Sequence, residues 1–227
     1  MVAYAELPAL YAYLAVAFTL LQTVFSRSRL SARGDDYRKT LVYFCFFSLL
    51  LFALPVAALL LADRAGLDFL AGVGLKLGRW RLGLVLVAAA VPLALTGALI
   101  GGRDRGLSRF YPFAPSACRD AKRLALYETA YLVLYYLPWE FAFRGLLFFP
   151  LAATVGLLPA LALQTMLSTL YHIGHPASEI AAALAAGFLF GLIAYHTQSI
   201  VYTTAIHALF GISTDVASCL RRRRGKS

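Results

Sequence analysis

Apolar residues run in long blocks, and the blocks are parted by short polar stretches rich in arginine. The blocks cover about 7–25, 40–62, 82–100, 124–157, a segment ending near His172, 178–195 and 200–220. A bilayer core of about 30 Å takes roughly 20 helical residues at about 1.5 Å each, so each block is long enough to cross or nearly cross it. The pattern predicts an all-α fold, a polytopic transmembrane helical bundle of about seven spans, or eight if 67–77 adds a re-entrant piece. Pro55 should kink the second block. Gly101-Gly102 ends the third, and Tyr111-Pro112-Phe113-Ala114-Pro115 reads as a turn or an interfacial element. Pro150 and the 156–159 region part the fourth block from the fifth. His175-Pro176 and Thr197-Gln198-Ser199 are tight turns. Gly187 and Gly191, four apart, form the small-xxx-small pattern that lets helices approach closely.

Composition removes the soluble classes. Of 227 residues, 61% are hydrophobic and 14% charged, and the mean hydropathy is +0.73. A soluble domain of this size is not so apolar. Residues 1–227 therefore read as a single integral membrane domain without a soluble appendage. The net charge of +10 does not imply a nucleic-acid partner, because the basic residues sit in short loops and set topology. With the N-terminus outside, sixteen of the 21 Lys and Arg fall on the cytosolic side, four on the other, and Arg144 lies within the membrane. The C-terminus is then cytosolic, in what is expected to be the cell membrane. Cys45, Cys118 and Cys219 show neither metal spacing nor an obvious pairing. No basic region precedes the first apolar run, so no cleavable signal peptide is expected, and the C-terminal residues are not a prenylation box.

The chemistry is concentrated in the second half. Glu140 and Arg144 lie four apart, one helical turn, inside the apolar block 124–157. Such a pair is costly at membrane depth unless paired or wet, and by default marks a functional site. The competing reading is an ion pair that pins helices together. The other ionisable groups are Glu128, His172, His175, Glu179, His196, His207 and Asp215, the last two turns beyond His207 on the same face. A carboxylate and two histidines on three helices form a general acid/base set. They are also a zinc ligand set, or the stations of a proton path in a carrier. Against this, His196 reads as a hydrogen-bonded contact, His175 and Glu179 as wetted loop neighbours and Glu128 as a cap. Tyr131, Tyr135 and Tyr136 read as packing or belt residues.

The segment 137–145, Leu-Pro-Trp-Glu-Phe-Ala-Phe-Arg-Gly, resembles the first motif, Glu-Glu-x-x-x-Arg, of the CPBP intramembrane protease family, also called the ABI or CAAX prenyl protease 2 family. Tyr171-His172-Ile173-Gly174 resembles the second motif. His207-Ala-Leu-Phe-Gly211 stands in the place of the third, His-x-x-x-Asn. The resemblance covers about 124–216, the family-like core. It implies that Glu140 acts as base on a water, with His172 as its partner and His207 as oxyanion donor. Arg144 would hold the carboxylate ionised or lock the helix. It implies no metal and no cofactor.

Two departures mark a divergent member. Trp139 replaces the first glutamate, and Gly211 cannot supply the asparagine amide. A lost oxyanion donor costs about 3 to 4 kcal/mol of transition-state stabilisation. Asp215, His175 or Glu179 are the supporting residues that would have to compensate. The depths also need reconciling. Glu140 would lie about 18 Å above a span starting at Glu128, unless the start of that helix lies along the interface or Pro138 tilts it.

The expected function is an intramembrane endopeptidase that cuts a membrane-associated peptide or protein from the cytosolic side, with membrane lipids as its other partners. The alternatives are a non-catalytic scaffold or immunity-type protein on the same fold, and a proton-linked carrier. The lack of an internal repeat counts against the carrier. If the peptidase expectation holds, Glu140, His172 and His207 should converge with side chains within about 4 to 7 Å, close enough for one or two waters to bridge them.

Overall fold

The computed structural model describes residues 7–30, 35–62, 65–101 and 103–224. Three residues counted above in the charge pattern, Arg33, Arg64 and Lys226, lie outside the described residues, as does the start of the chain. The described residues form helices and no strand. They are α1 (Leu7–Leu30, interrupted by a turn at 23–26), α2 (Asp36–Leu61), α3 (Ala65–Gly72), α4 (Trp80–Gly101), α5 (Arg105–Phe110), α6 (Ala121–Val155), α7 (Leu157–Leu170), α8 (Ala177–Thr197) and α9 (Val201–Arg224). By length and composition α1, α2, α4, α6 and α8 can cross a bilayer. The shorter apolar α7 spans 14 residues, and α9 runs 24 residues but carries Asp215 and a basic end. The partial span expected at 67–77 is the eight-residue α3, too short to cross.

The molecule is apolar on the outside and polar within, the arrangement a lipid solvent requires. On α4, Leu84, Val85, Leu93, Leu95, Leu99 and Ile100 are exposed, and on α8 so are Leu184, Phe188 and Leu189. An apolar surface of that extent has no place in water. The chain is an integral membrane protein. α6 is the axis. Its apolar window is 72% buried, against 17–22% for the other four long helices, so it sits inside the bundle while they face lipid.

Proline shapes α6 and α2 in the same way. The π-helical stretches Leu49–Ala53, Leu132–Tyr136 and Phe141–Phe148 end two residues before Pro55, Pro138 and Pro150. Proline cannot donate to the carbonyl four back and its ring crowds that carbonyl, so the turn before it widens. The kink expected at Pro55 takes this form. The widening also keeps an aromatic ladder in line. Tyr127, Tyr131, Tyr135, Trp139 and Phe143 are spaced by four, a repeat that drifts about 40° per step on a regular helix. The wider turns take back that drift, and all five residues are buried. Phe44 stacks on Tyr131 at 4.7 Å between centroids and Phe47 on Tyr135 at 4.2 Å, which fixes α2 against α6. Tyr131 and Tyr135 are thus packing residues, as expected.

The connections gather at two ends. At the basic end Arg123 pairs with Asp35 at 2.9 Å, and Arg222 donates to the carbonyls of Ser108 and Tyr111. Cys118 and Cys219, 101 residues apart in sequence, are joined in a disulfide there. The sequence offered no obvious pairing for these cysteines, and the fold supplies one. A long-range contact made only by the fold leaves no trace in spacing. At the opposite end the 197–200 turn holds the segment after α3. Arg79 N–H donates to Thr197 O at 2.7 Å and Ile200 N–H to Gly74 O at 2.9 Å. Gly78 is required there. Its φ is +50°, and a Cβ would stand 2.1 Å from Thr197 O.

Candidate active site

Glu140 follows the first π stretch of α6 and opens the second. Its side chain is fully buried. Oε1 accepts from His207 Nδ1 at 2.8 Å and from Arg144 NH1 at 3.3 Å. A carboxylate only accepts, so the proton of this bond sits on Nδ1 and the Nε2 of a neutral His207 carries a free lone pair. Arg144 is itself buried, with its guanidinium carbon 5.4 Å from the centroid of the Phe190 ring. The His207 side chain keeps 23% of its exposure. The carboxylate is therefore sealed, and the imidazole it orients is the member of the pair that meets the surroundings.

His172 lies in the turn after α7. Its Nδ1 hydrogen bonds to Ser168 O at 2.7 Å. Burial pulls its imidazole well down, to about 4, against the raising effect of that carbonyl, so the ring is neutral at neutral pH. The indole of Trp139 packs against both imidazoles, 5.0 Å from the His172 centroid and 6.1 Å from that of His207. Of the three residues expected to converge, Glu140 and His207 bond directly, and the Trp139 indole, which stands in place of the first motif glutamate, packs on both His172 and His207.

His172 belongs to a second group. His175 Nδ1 is 2.8 Å from Glu179 Oε1, and the Tyr111 hydroxyl donates to the same oxygen. Glu179, expected as a wetted residue or a support for Glu140, serves this group. A third group was missed altogether. Asp215 is fully buried beside Glu128 of α6, which is itself buried. Asp215 thus faces Glu128 rather than supporting His207, and Glu128 is no interfacial cap. The eight-residue spacing from His207 placed Asp215 on the right helix face but could not say which depth of α6 it met. His196 is exposed and apart from all three groups.

Gly211 makes room for a phenol beside the site. An ideal Cβ there would lie 1.7 Å from the Tyr136 hydroxyl. Tyr136 therefore occupies the volume that a side chain at 211 would take, with its ring 4.8 Å from that of His207. Sequence reasoning placed Tyr136 among packing residues. The signal that could have found it was the pairing of a small residue in the third motif with a phenol on another helix of the core.

The segment from Leu124 onward matches the family model for Type II CAAX prenyl endopeptidase Rce1-like, over residues 124–213. This part of the chain is Rce1-like. The matched residues contain Glu140, Arg144, His172 and His207, and stop short of Asp215. They are the part that the motif resemblance singled out, and over these residues the chain is similar to that family. The Rce1-like core is built on α6 to α9, while α1 to α5 lie outside the match. No curated protein and no solved structure matches the chain.

Proposed function

We propose that this Rce1-like protein is an intramembrane endopeptidase in which His207, oriented by Glu140, is the general base. The observation that carries the reading is the 2.8 Å bond from Nδ1 of a partly exposed imidazole to a sealed carboxylate, the relation that fixes tautomer and orientation in hydrolytic triads. His207 Nε2 takes a proton from water as the water oxygen attacks the peptide carbonyl carbon. The oxyanion accepts a hydrogen bond from the Tyr136 hydroxyl, which stands in for the missing amide. The imidazolium then gives its proton to the leaving nitrogen, and a carboxylate and an amine are released. Glu140 is a positioning residue here, because a fully buried carboxylate does not touch the water, and Arg144 balances its charge. The basic end faces the cytosol, in the cell membrane, with the C-terminus on that side. The substrate is a membrane-associated peptide or protein.

A second reading is favoured by one observation. Trp139 fills the space against His172 and His207 with an indole, which suits a non-catalytic scaffold. New peptide termini in membranes of expressing cells separate the two. Wild type should generate termini that His207→Ala and Glu140→Gln each reduce at least about 100-fold. Termini unchanged by His207→Ala would leave the scaffold.

A further inference from the structure

Beyond the peptidase reading, and without resting on it, the turn between α7 and α8 has the features of a metal site. His172, His175 and Glu179 each offer a ligand atom, and these atoms lie within 4.8 Å of one another. The backbone holds them in register. His175 N–H donates to His172 O at 2.9 Å and Glu179 N–H to Pro176 O at 2.9 Å, with Gly174 at φ +97° making the turn.

His172 is already oriented by a partner that leaves a lone pair unused. Ser168 O accepts from His172 Nδ1 at 2.7 Å, and only a protonated Nδ1 can donate to a carbonyl, so Nε2 is free. His175 Nδ1 and Glu179 Oε1 lie 2.8 Å apart, a separation at which one ion can take both atoms in place of the bond between them. His172 is held as imidazole ligands of metals are, with the second ring nitrogen donating to a carbonyl. The Tyr111 hydroxyl donates to Glu179 Oε1 as well. Glu179 Oε2 is buried and has no hydrogen-bond partner. A buried carboxylate oxygen without a donor calls for a cation or a proton. A cavity of about 530 Å³, which His175 lines together with Arg27 and Arg109, gives access and room for a further ligand.

We propose that His172, His175 and Glu179 bind a divalent transition metal ion of the zinc class, with the fourth position open to water or to an anionic group in the cavity. Two imidazoles and one carboxylate suit zinc, and three protein ligands leave one tetrahedral position free.

The test uses the full chain, carrying no polyhistidine tag, in detergent and stripped by a chelator. Zn²⁺ and Co²⁺ are titrated in turn, with metal content per chain and the visible Co²⁺ absorption as readouts. One ion per chain is expected, with four-coordinate Co²⁺ absorption. His175→Ala should weaken binding at least about 100-fold, and Tyr111→Phe, which keeps the packing, about tenfold. His207→Ala should leave it unchanged. No stoichiometric uptake by the folded wild type overturns the proposal. So does uptake that His175→Ala and Tyr111→Phe both leave intact, or uptake that His207→Ala removes.

Discussion

Gly211 has no side chain, and the Tyr136 hydroxyl stands 1.7 Å from where a Cβ would be. Gly211→Ala is thus an overpacking substitution despite its small size, and should destabilise the protein by about 1 to 3 kcal/mol. Tyr136→Ala removes the obstructing ring, so the double variant should recover most of the loss due to Gly211→Ala. Thermal unfolding of the four proteins in detergent gives the coupling, and additive effects would place Tyr136 elsewhere. At this scale the sequence was informative about which residues carry chemistry and poor about who meets whom. Glu140, Arg144, His172 and His207 stood out because ionisable groups in apolar helices are costly and few. Their pairing depends on helix rotation, and the π stretches before Pro138 and Pro150 alter that rotation by amounts that a regular 3.6-residue count does not contain.

Among the elements, helix boundaries followed the hydrophobic blocks closely. The fourth block, expected at 124–157, is α6 at Ala121–Val155, and the sixth, expected at 178–195, is α8 at Ala177–Thr197. Gly187 and Gly191 do bring α7 close to α8, with Gln164 Nε2 donating to Gly187 O at 2.8 Å. What periodicity did not contain were the ties between connections, which are made by loop side chains. Asp104 is such a tie. It caps α5 by accepting from Gly106 N–H at 2.7 Å and Leu107 N–H at 3.3 Å, and it accepts from the Ser178 hydroxyl at the start of α8. The Ser178 bond first, then the backbone donors, hold its carboxyl below the usual carboxylate range. A carboxyl with a depressed folded value contributes stability that is complete above its unfolded value and is lost as pH falls through the folded one. Asp104→Ala should therefore lower the Tm at pH 7, and the gap from wild type should close as the pH drops below the carboxylate range. A gap that persists in acid would mean that the tie does not depend on the charge.

At the scale of the whole molecule, one end collects most of the basic residues while the other holds Lys76, Arg79 and Arg81, so the described residues form a bundle polarised in charge. The Cys118–Cys219 bridge lies at the basic end, beside Arg223, whose NH2 donates to Cys118 O at 3.1 Å. Disulfides do not persist in a reducing cytosol. If that end faces the cytosol, the two cysteines should be captured as free thiols by alkylation in intact, acid-quenched cells, and should pair on purification in air. A bridge that is already complete in the cell would turn the bundle over and put the site on the other side of the membrane.

The central claim is that His207, held by Glu140, activates water, and the origin of the oxygen in a new C-terminus tests it whatever the substrate is. Proteoliposomes containing the full chain and the membrane peptides of its host are incubated in H₂¹⁸O, and new C-terminal carboxylates are read for ¹⁸O by mass spectrometry. Wild type should produce singly labelled termini, reduced at least about 100-fold by His207→Phe and by Glu140→Gln, and by Tyr136→Phe about 100-fold or more. Labelled termini that are as abundant with His207→Phe, or no more abundant with wild type than in protein-free liposomes, would contradict the account.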